Sequence, residues 1–209
     1  IGPSGSGKSS LIALALRFRT ADPGALAFGG APVEAYEADA LRRRMSVLAQ
    51  QDHLFSATIR DNLLIAAPQA SPADIEAACA RAGILSFIEA QPDGLETFIG
   101  AHGAKISGGE ARRLGLARTL LKDAPIVILD EPTEGLDADT ERRVLDTVLE
   151  ATRARALLLV THRPARLEAM DEIILMAAGR ILARGTPAEM TPFMAVAEPE
   201  ADRPGGGSA

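Results

Sequence analysis

The sequence predicts an α/β fold with a mostly parallel, helix-covered sheet, and three observations carry that prediction. Strand-like and helix-like segments alternate along most of the 209 residues. The runs 126–129 and 156–160 are continuously apolar, the pattern of strands buried on both faces. From 58 to 105 the pattern is helical only, so this block reads as an inserted helical subdomain.

Residues 8–19 place apolar side chains at Leu11, Ile12, Leu14, Ala15 and Leu16, which predicts a helix. Asp22-Pro23-Gly24 is a turn leading into a short strand over 25–28. A helix over 39–44 and a strand over 45–49 follow. Residues 58–89 read as helical throughout, with Ser71-Pro72 opening one helix as N-cap and N1. A helix over 108–121 precedes the strand 126–129, and a helix over 136–152 precedes the strand 156–160. A further strand covers 173–176. Thr186-Pro187-Ala188-Glu189 has the form of a capping box with proline at N1. Residues 195–209, with Glu-Pro-Glu and Gly-Gly-Gly-Ser, read as a disordered tail.

Apolar residues make up 47% of the chain but aromatics only 3%, with no Trp, so the core must be aliphatic. Lys plus Arg is 22 against 28 Asp plus Glu, a net charge of −6. That balance gives no global attraction to nucleic acid and opposes that class of partner. Cys79 is the only cysteine, which excludes a disulfide framework within the chain and fits a reducing compartment. The start has no signal-peptide pattern. Its longest apolar runs fall far short of the roughly 20 residues a spanning helix needs.

Three motifs carry chemistry. Gly2-Pro3-Ser4-Gly5-Ser6-Gly7-Lys8-Ser9 matches G-x-x-x-x-G-K-[ST]. Its glycines let backbone N–H groups converge on phosphate oxygens, and the following helix adds its positive end. Lys8 can reach the β- and γ-phosphates, and the Ser9 hydroxyl suits Mg²⁺. Such a loop hangs from the end of a buried strand, and only Ile1 precedes it, so the N-terminal edge of the domain is expected to lie before residue 1. Residues 1–209 alone are accordingly expected to be poorly stable and to bind ATP weakly. The second motif is the apolar strand that ends in Asp130-Glu131. Asp130 would hold Mg²⁺, directly or through water, and Glu131 would polarise the attacking water as general base. Alone, such a string is often a strand end with solvated acids. The third is Ile106-Ser107-Gly108-Gly109-Glu110 ahead of a long helix, a second anion site or, by itself, a simple N-cap.

In this order the three motifs resemble the ABC ATPase family. Its signature is usually written Leu-Ser-Gly-Gly-Gln, and this chain has Ile106 and Glu110 at the two ends. The resemblance implies a P-loop NTPase (RecA-like) fold, with ATP and Mg²⁺ as cofactors. It implies a head-to-tail dimer in which Ser107, Gly108 and Gly109 of one domain cap the ATP held by the other. The held ATP would meet Gly2, Ser4, Gly5, Ser6, Gly7, Lys8, Ser9 and Ser10. Gln50 matches the Q-loop glutamine, which contacts Mg²⁺ and water and faces the transport domain. Gln51 is the neighbouring register, and Leu54-Phe55 at the family's Gln-x-x-x-Leu-Phe spacing favours Gln50. Asp137, in Glu134-Gly135-Leu136-Asp137, matches the D-loop, or read plainly is an N-cap. His162 matches the switch histidine, which would hydrogen-bond the γ-phosphate and orient Glu131. The resemblance thus gives Glu131, His162 and Gln50 as catalytic and Ser9, Gln50 and Asp130 as metal ligands. The aromatic that stacks on adenine would lie before residue 1. It divides the chain into a RecA-like core (1–57 and 108–194), a helical signature subdomain (58–107) and the tail.

Phe55 to Leu63 resembles the exporter form of this segment, as does Gln91-Pro92-Asp93-Gly94-Leu95-Glu96-Thr97 with Gly100 and Gly103. Gln51-Asp52-His53-Leu54-Phe55, Asp61-Asn62-Leu63-Leu64, Ser107-Gly108-Gly109-Glu110-Ala111-Arg112-Arg113 and Glu131-Pro132-Thr133-Glu134-Gly135-Leu136-Asp137 resemble the CydC half of heterodimeric thiol exporters. That implies export of cysteine or glutathione to the periplasm in support of cytochrome assembly. It also implies a transmembrane domain, a non-identical CydD-like ATPase partner, and a place on the cytoplasmic face of a bacterial inner membrane. Two alternatives are an ABC exporter half for lipid or drug and a soluble, non-transport ABC ATPase. A silent nucleotide-binding regulator is opposed by the presence of both Glu131 and His162.

Overall fold

The computed structural model describes residues 1–50, 52–100, 105–163 and 165–194. The expectations for Gln51, Gly103 and the tail 195–209 lie outside these residues. Two compact units emerge, one of Ile12–Val160 and one of Ile1–Leu11 with the chain from Thr161 onward.

The larger unit is built on three parallel strands, β3 (Met45–Leu48), β4 (Ile126–Asp130) and β5 (Ala156–Val160), in the order β3-β4-β5. Leu48 aligns with Leu129, and Leu129 with Leu159. Side chains alternate across a strand, and here both faces are apolar. Leu48, Val127 and Leu129 enter one cluster with residues of the helices α3 (Ile59–Leu64), α4 (Pro72–Arg81), α6 (Gly108–Leu121) and α7 (Ala138–Ala151). Met45, Ile128 and Val160 enter a second with Ile12 of α1 (Lys8–Ala15), Leu16, Val33 and Leu41 of α2 (Ala38–Arg43). At β4 the sheet is covered on both sides, as its unbroken apolar run predicts, whereas β5 is buried only at Val160 and half-buried over 157–159. A short ribbon, β1 (Ala27–Phe28) with β2 (Ala31–Pro32), turns antiparallel through Gly29 and Gly30, both at positive φ.

The 58–89 stretch is three helices, with the second opening at Ser71-Pro72 as its pattern predicts and α5 (Leu85–Glu89) as the third. Reciprocal capping boxes open α3 (Thr58 with Asp61) and α4 (Ser71 with Asp74, and Pro72 at N1). Gly83, at φ 68°, separates α4 from α5. The first helix also ends earlier than its apolar pattern predicts. Arg17 turns left-handed at φ 56°, and the N–H groups of Phe18 and Arg19 fold back on the Ala13 carbonyl at 2.8 and 3.2 Å.

In the smaller unit β6 (Ile173–Ala177) and β7 (Arg180–Gly185) form an antiparallel pair backed by α8 (Pro187–Met194). Thr186 opens α8, its backbone N–H and hydroxyl both donating to Glu189 Oε2, at 2.8 and 2.9 Å. Among the described residues no helix is long and apolar enough to cross a membrane.

Candidate functional site

In the smaller unit the phosphate-type loop is anchored at both ends. Ile1 runs parallel to β6: its nitrogen donates to the Ile174 carbonyl at 2.7 Å, and its carbonyl accepts from Met176 N at 2.9 Å. Gly2 follows at φ 147°, where a Cβ would lie 2.1 Å from the Met176 carbonyl oxygen, so only glycine lets the loop leave this strand. At the far end Gly179 N donates to the Ser6 carbonyl at 3.0 Å. Lys8 begins α1 and folds over the loop, its ammonium donating to the Gly2 and Pro3 carbonyls at 2.6 and 2.8 Å and to Ser6 Oγ at 3.4 Å. Gly2, Ser4, Gly5, Ser6, Gly7, Lys8, Ser9 and Ser10 thus form one continuous turn into a helix N-terminus, the arrangement that binds phosphate. His162 lies two residues beyond the end of β5, half-buried, next to Thr161, whose hydroxyl accepts from Arg163 N at 3.0 Å.

The larger unit holds the carboxylates. Adjacent parallel strands deliver Gln50, two residues past β3, and Asp130-Glu131, at the end of β4, to the same edge of the sheet. Open parallel sheets bind ligands beyond this carboxyl edge. Asp130 and Glu131 are 4% and 8% exposed, so these are not solvated strand-end acids. Glu131 sits at φ 53°, a left-handed conformation that costs a non-glycine residue about 1–3 kcal/mol. Its N–H donates to the Val160 carbonyl at 2.8 Å.

The carbonyl side of Glu131 is held by Arg112, a residue that the signature segment contains but to which the sequence assigned no role. The guanidinium donates through Nε and Nη2 to the Glu131 carbonyl at 3.1 and 2.7 Å, and through Nη2 to the Asp130 carbonyl. Nη1 donates to the Ala49 and Gln50 carbonyls at 2.5 and 2.9 Å. Burial pulls its pKa down from the usual arginine value, opposed by Glu134, Asp52, Asp130 and Glu131. The signal was present: 112, 115, 116 and 119 share one face of a helix, and the other three are small or apolar enough to be core. Arg118 adds a second tie from α6, with Nη2 on both Asp52 oxygens at 2.7 Å and Nη1 on the His53 carbonyl at 3.0 Å.

Ser107 is the N-cap of α6. Its Oγ accepts from Glu110 N at 3.3 Å, and Glu110 Oε2 accepts from Ser107 N at 2.7 Å. A capping box takes Glu or Gln alike, so Glu110 keeps the local geometry while its carboxylate turns back onto the helix start. Gly108 and Gly109 form the first turn. Asp137 caps α7, accepting from Thr140 N at 3.0 Å, and the Thr140 backbone and hydroxyl hold its carboxyl below the usual carboxylate range. Between β4 and α7, buried Thr133 donates to buried Glu141 at 2.7 Å.

In the larger unit the Gln50 amide and the Asp130 carboxylate are hard oxygen donors of the kind Mg²⁺ takes, and in the smaller unit the Ser9 hydroxyl is another.

Comparison with known proteins agrees with this arrangement. A family model described as ABC transporter matches residues 1–134. The chain is 43% identical over 190 residues to the glutathione/L-cysteine transport system ATP-binding/permease protein CydC of Escherichia coli (strain K12), covering 91% of this chain and 33% of that protein. It is 41% identical over 191 residues to the ATP-dependent lipid A-core flippase of Xanthomonas oryzae pv. oryzae (strain MAFF 311018), covering 91% and 32%. The structure of a bacterial Atm1-family ABC exporter with ATP bound superposes at a TM-score of 0.87 and 33% identity, covering 92% of this chain and 34% of that one. The chain therefore spans about a third of the length of these relatives. With its phosphate loop, buried acidic strand end and capped signature helix in family order, the chain belongs to the ABC transporter family as an ATPase domain of it.

Proposed function

We propose that this domain hydrolyses ATP to drive a bacterial ABC exporter, and that the exported molecule is a small thiol of the cysteine or glutathione class. The observation that carries the hydrolysis is the buried Asp130-Glu131 pair at the sheet edge that also presents Gln50. Lys8 and the loop N–H groups hold the phosphates. Ser9, Gln50 and Asp130 would hold Mg²⁺, which when bound would supply positive charge to the phosphate oxygens. Glu131 accepts a hydrogen bond from the attacking water and draws off its proton. His162 supports the γ-phosphate. Ser107, Gly108 and Gly109, with Asp137, complete the site of a second ATPase domain in a head-to-tail dimer, on the cytoplasmic face of the inner membrane. That second domain is taken to be a non-identical, CydD-like one.

A transmembrane partner is supported on the larger unit. A groove of about 440 Å³ is lined by Phe18, Arg42, Met45, Ile65, Arg118 and Lys122 among others. Phe18 and Ile65 stand 69% and 52% exposed there. The chain spans only about a third of its relatives, which leaves ample length for the domain that would cover this groove.

Two features favour a thiol: Glu110 in the signature with the Glu134-Gly135-Leu136-Asp137 turn, and the similarity to CydC. The lipid A flippases, at 40–41% over nearly the same span, favour a second reading as a lipid exporter. ATP turnover of the complete transporter in lipid, with and without reduced glutathione or cysteine, separates the two. Stimulation by thiol that vanishes in Glu131→Gln is expected. Turnover indifferent to thiol but raised by lipid A would assign the lipid instead.

A further inference from the structure

We propose that Arg112 is a positioning residue for ATP hydrolysis, fixing Glu131 and the Gln50 loop to a single guanidinium near the start of the signature helix. The proposal rests on the reading of Glu131 as general base. Five hydrogen bonds from Arg112 reach four carbonyl oxygens, those of Ala49, Gln50, Asp130 and Glu131. All four acceptors are backbone, so the contact fixes main-chain direction whatever the side chains carry.

Its chemical consequence falls on Glu131. The left-handed backbone at φ 53° persists only while its surroundings over-determine it. Two partners do so from opposite sides: the Val160 carbonyl accepts from the Glu131 N–H, and Arg112 donates to the Glu131 carbonyl. Releasing the carbonyl lets the peptide rotate, and the carboxylate moves with it. The loop side is tied through Nη1, so a displacement of Gln50 acts on the group that orients the base. Arg118 holds the next part of that loop through Asp52 and His53. Gly115 makes room for this between the two arginines: a Cβ there would lie 2.1 Å from Asp52 Oδ2. A planar fork with five N–H donors can serve all these carbonyls at once, whereas a lysine ammonium, with three donors at one point, cannot.

The test uses the complete transporter in lipid, with Arg112→Lys, Arg112→Gln, Glu131→Gln and the Arg112→Lys/Glu131→Gln pair. Turnover at saturating MgATP, KM for ATP and thermal midpoint are read for each. Misplacing a catalytic group by about 1 Å can cost about 100-fold. Arg112→Lys is accordingly expected to lower kcat about 10- to 100-fold with KM little changed. In the Glu131→Gln background the same change is expected to add no further loss, because the group it positions is gone. A loss of equal factor in both backgrounds, unaltered kcat, or kcat lost only in step with nucleotide affinity would overturn the role of Arg112 while leaving Glu131 intact. Failure of both Arg112 variants to yield folded protein would assign the guanidinium to the fold and overturn it as well. Undiminished turnover in Glu131→Gln alone would overturn the reading of the base, and the proposal with it.

Discussion

Gly115 and Cys79 show how little slack single residues have in the larger unit. Gly115 lies in the middle of α6, where glycine is ordinarily a cost, yet a methyl there would strike Asp52 Oδ2 at 2.1 Å and Leu48 Cδ1 at 3.0 Å. Gly115→Ala should destabilise the protein by about 1–3 kcal/mol despite its better helix propensity, read as a lower thermal midpoint. A raised midpoint would show that Asp52 swings aside freely. Cys79 is wholly buried among aliphatic side chains, and burial pushes its thiol up to about 11. The unfolded thiol ionises near 8.5. Its pKa is raised on folding, so its contribution is complete below the unfolded value and is lost as pH climbs toward about 11. Native protein should leave a thiol reagent unreacted at neutral pH and release one thiol only on unfolding. Residue identity made the motif glycines, Lys8, Asp130 and Glu131 legible in the sequence. The role of Arg112 was not: its helix face placed it toward the core, but one of two adjacent arginines reads as a solvated charge until the carbonyls it meets are known.

Among elements, local chemistry decided what the sequence disclosed. The helix Gly108–Leu121 and the strand Ala156–Val160 stand where the pattern places them, since Ser107 caps the one and an unbroken apolar run defines the other. Boundaries failed where no marker residue was present: α1 stops at a left-handed arginine instead of a glycine. β7 escaped notice because its apolar Ile181 and Leu182 stand exposed between Arg180 and Arg184, so no buried run marks it. Asp137 proved to be an N-cap, and the sequence allowed that reading together with a D-loop role. Capping is the element-scale test. Ser71→Ala removes the hydroxyl that closes the α4 box and should cost about 1 kcal/mol of stability, leaving ATP turnover alone. The same change at Ser107 should cost a similar amount of stability and, in addition, lower turnover, because that serine also faces a partner's nucleotide in the proposed dimer. Equal effects of the two on turnover would remove the special role of Ser107.

At the scale of the molecule, helix-start carboxylates give the fold an acid limit. Glu37, Asp74, Asp137 and Glu189 each accept hydrogen bonds at a helix N-terminus, and each is held below the usual carboxylate range. Their folded values are depressed, so the stability they confer is present above the ordinary range near 4 and drains away as pH falls through the depressed values. The thermal midpoint should hold steady down to about pH 5 and fall below it; a midpoint that is flat to pH 3 would contradict that. The parallel sheet was legible from the alternation of strands and helices and the burial of β4 from its apolar run, but the order β3-β4-β5 and the half-exposure of β5 were not. The grouping of Ile1–Leu11 with the chain beyond Thr161 was not, because only the paired backbone groups of Ile1 and β6 disclose it.

The most direct test of the account is ATP turnover by the complete transporter in lipid, wild type against Glu131→Gln, with ATP binding measured on the same preparations. Turnover is expected to fall by about 100- to 10,000-fold, the worth of a positioned general base, while ATP still binds. Turnover within a few-fold of wild type in Glu131→Gln would contradict it.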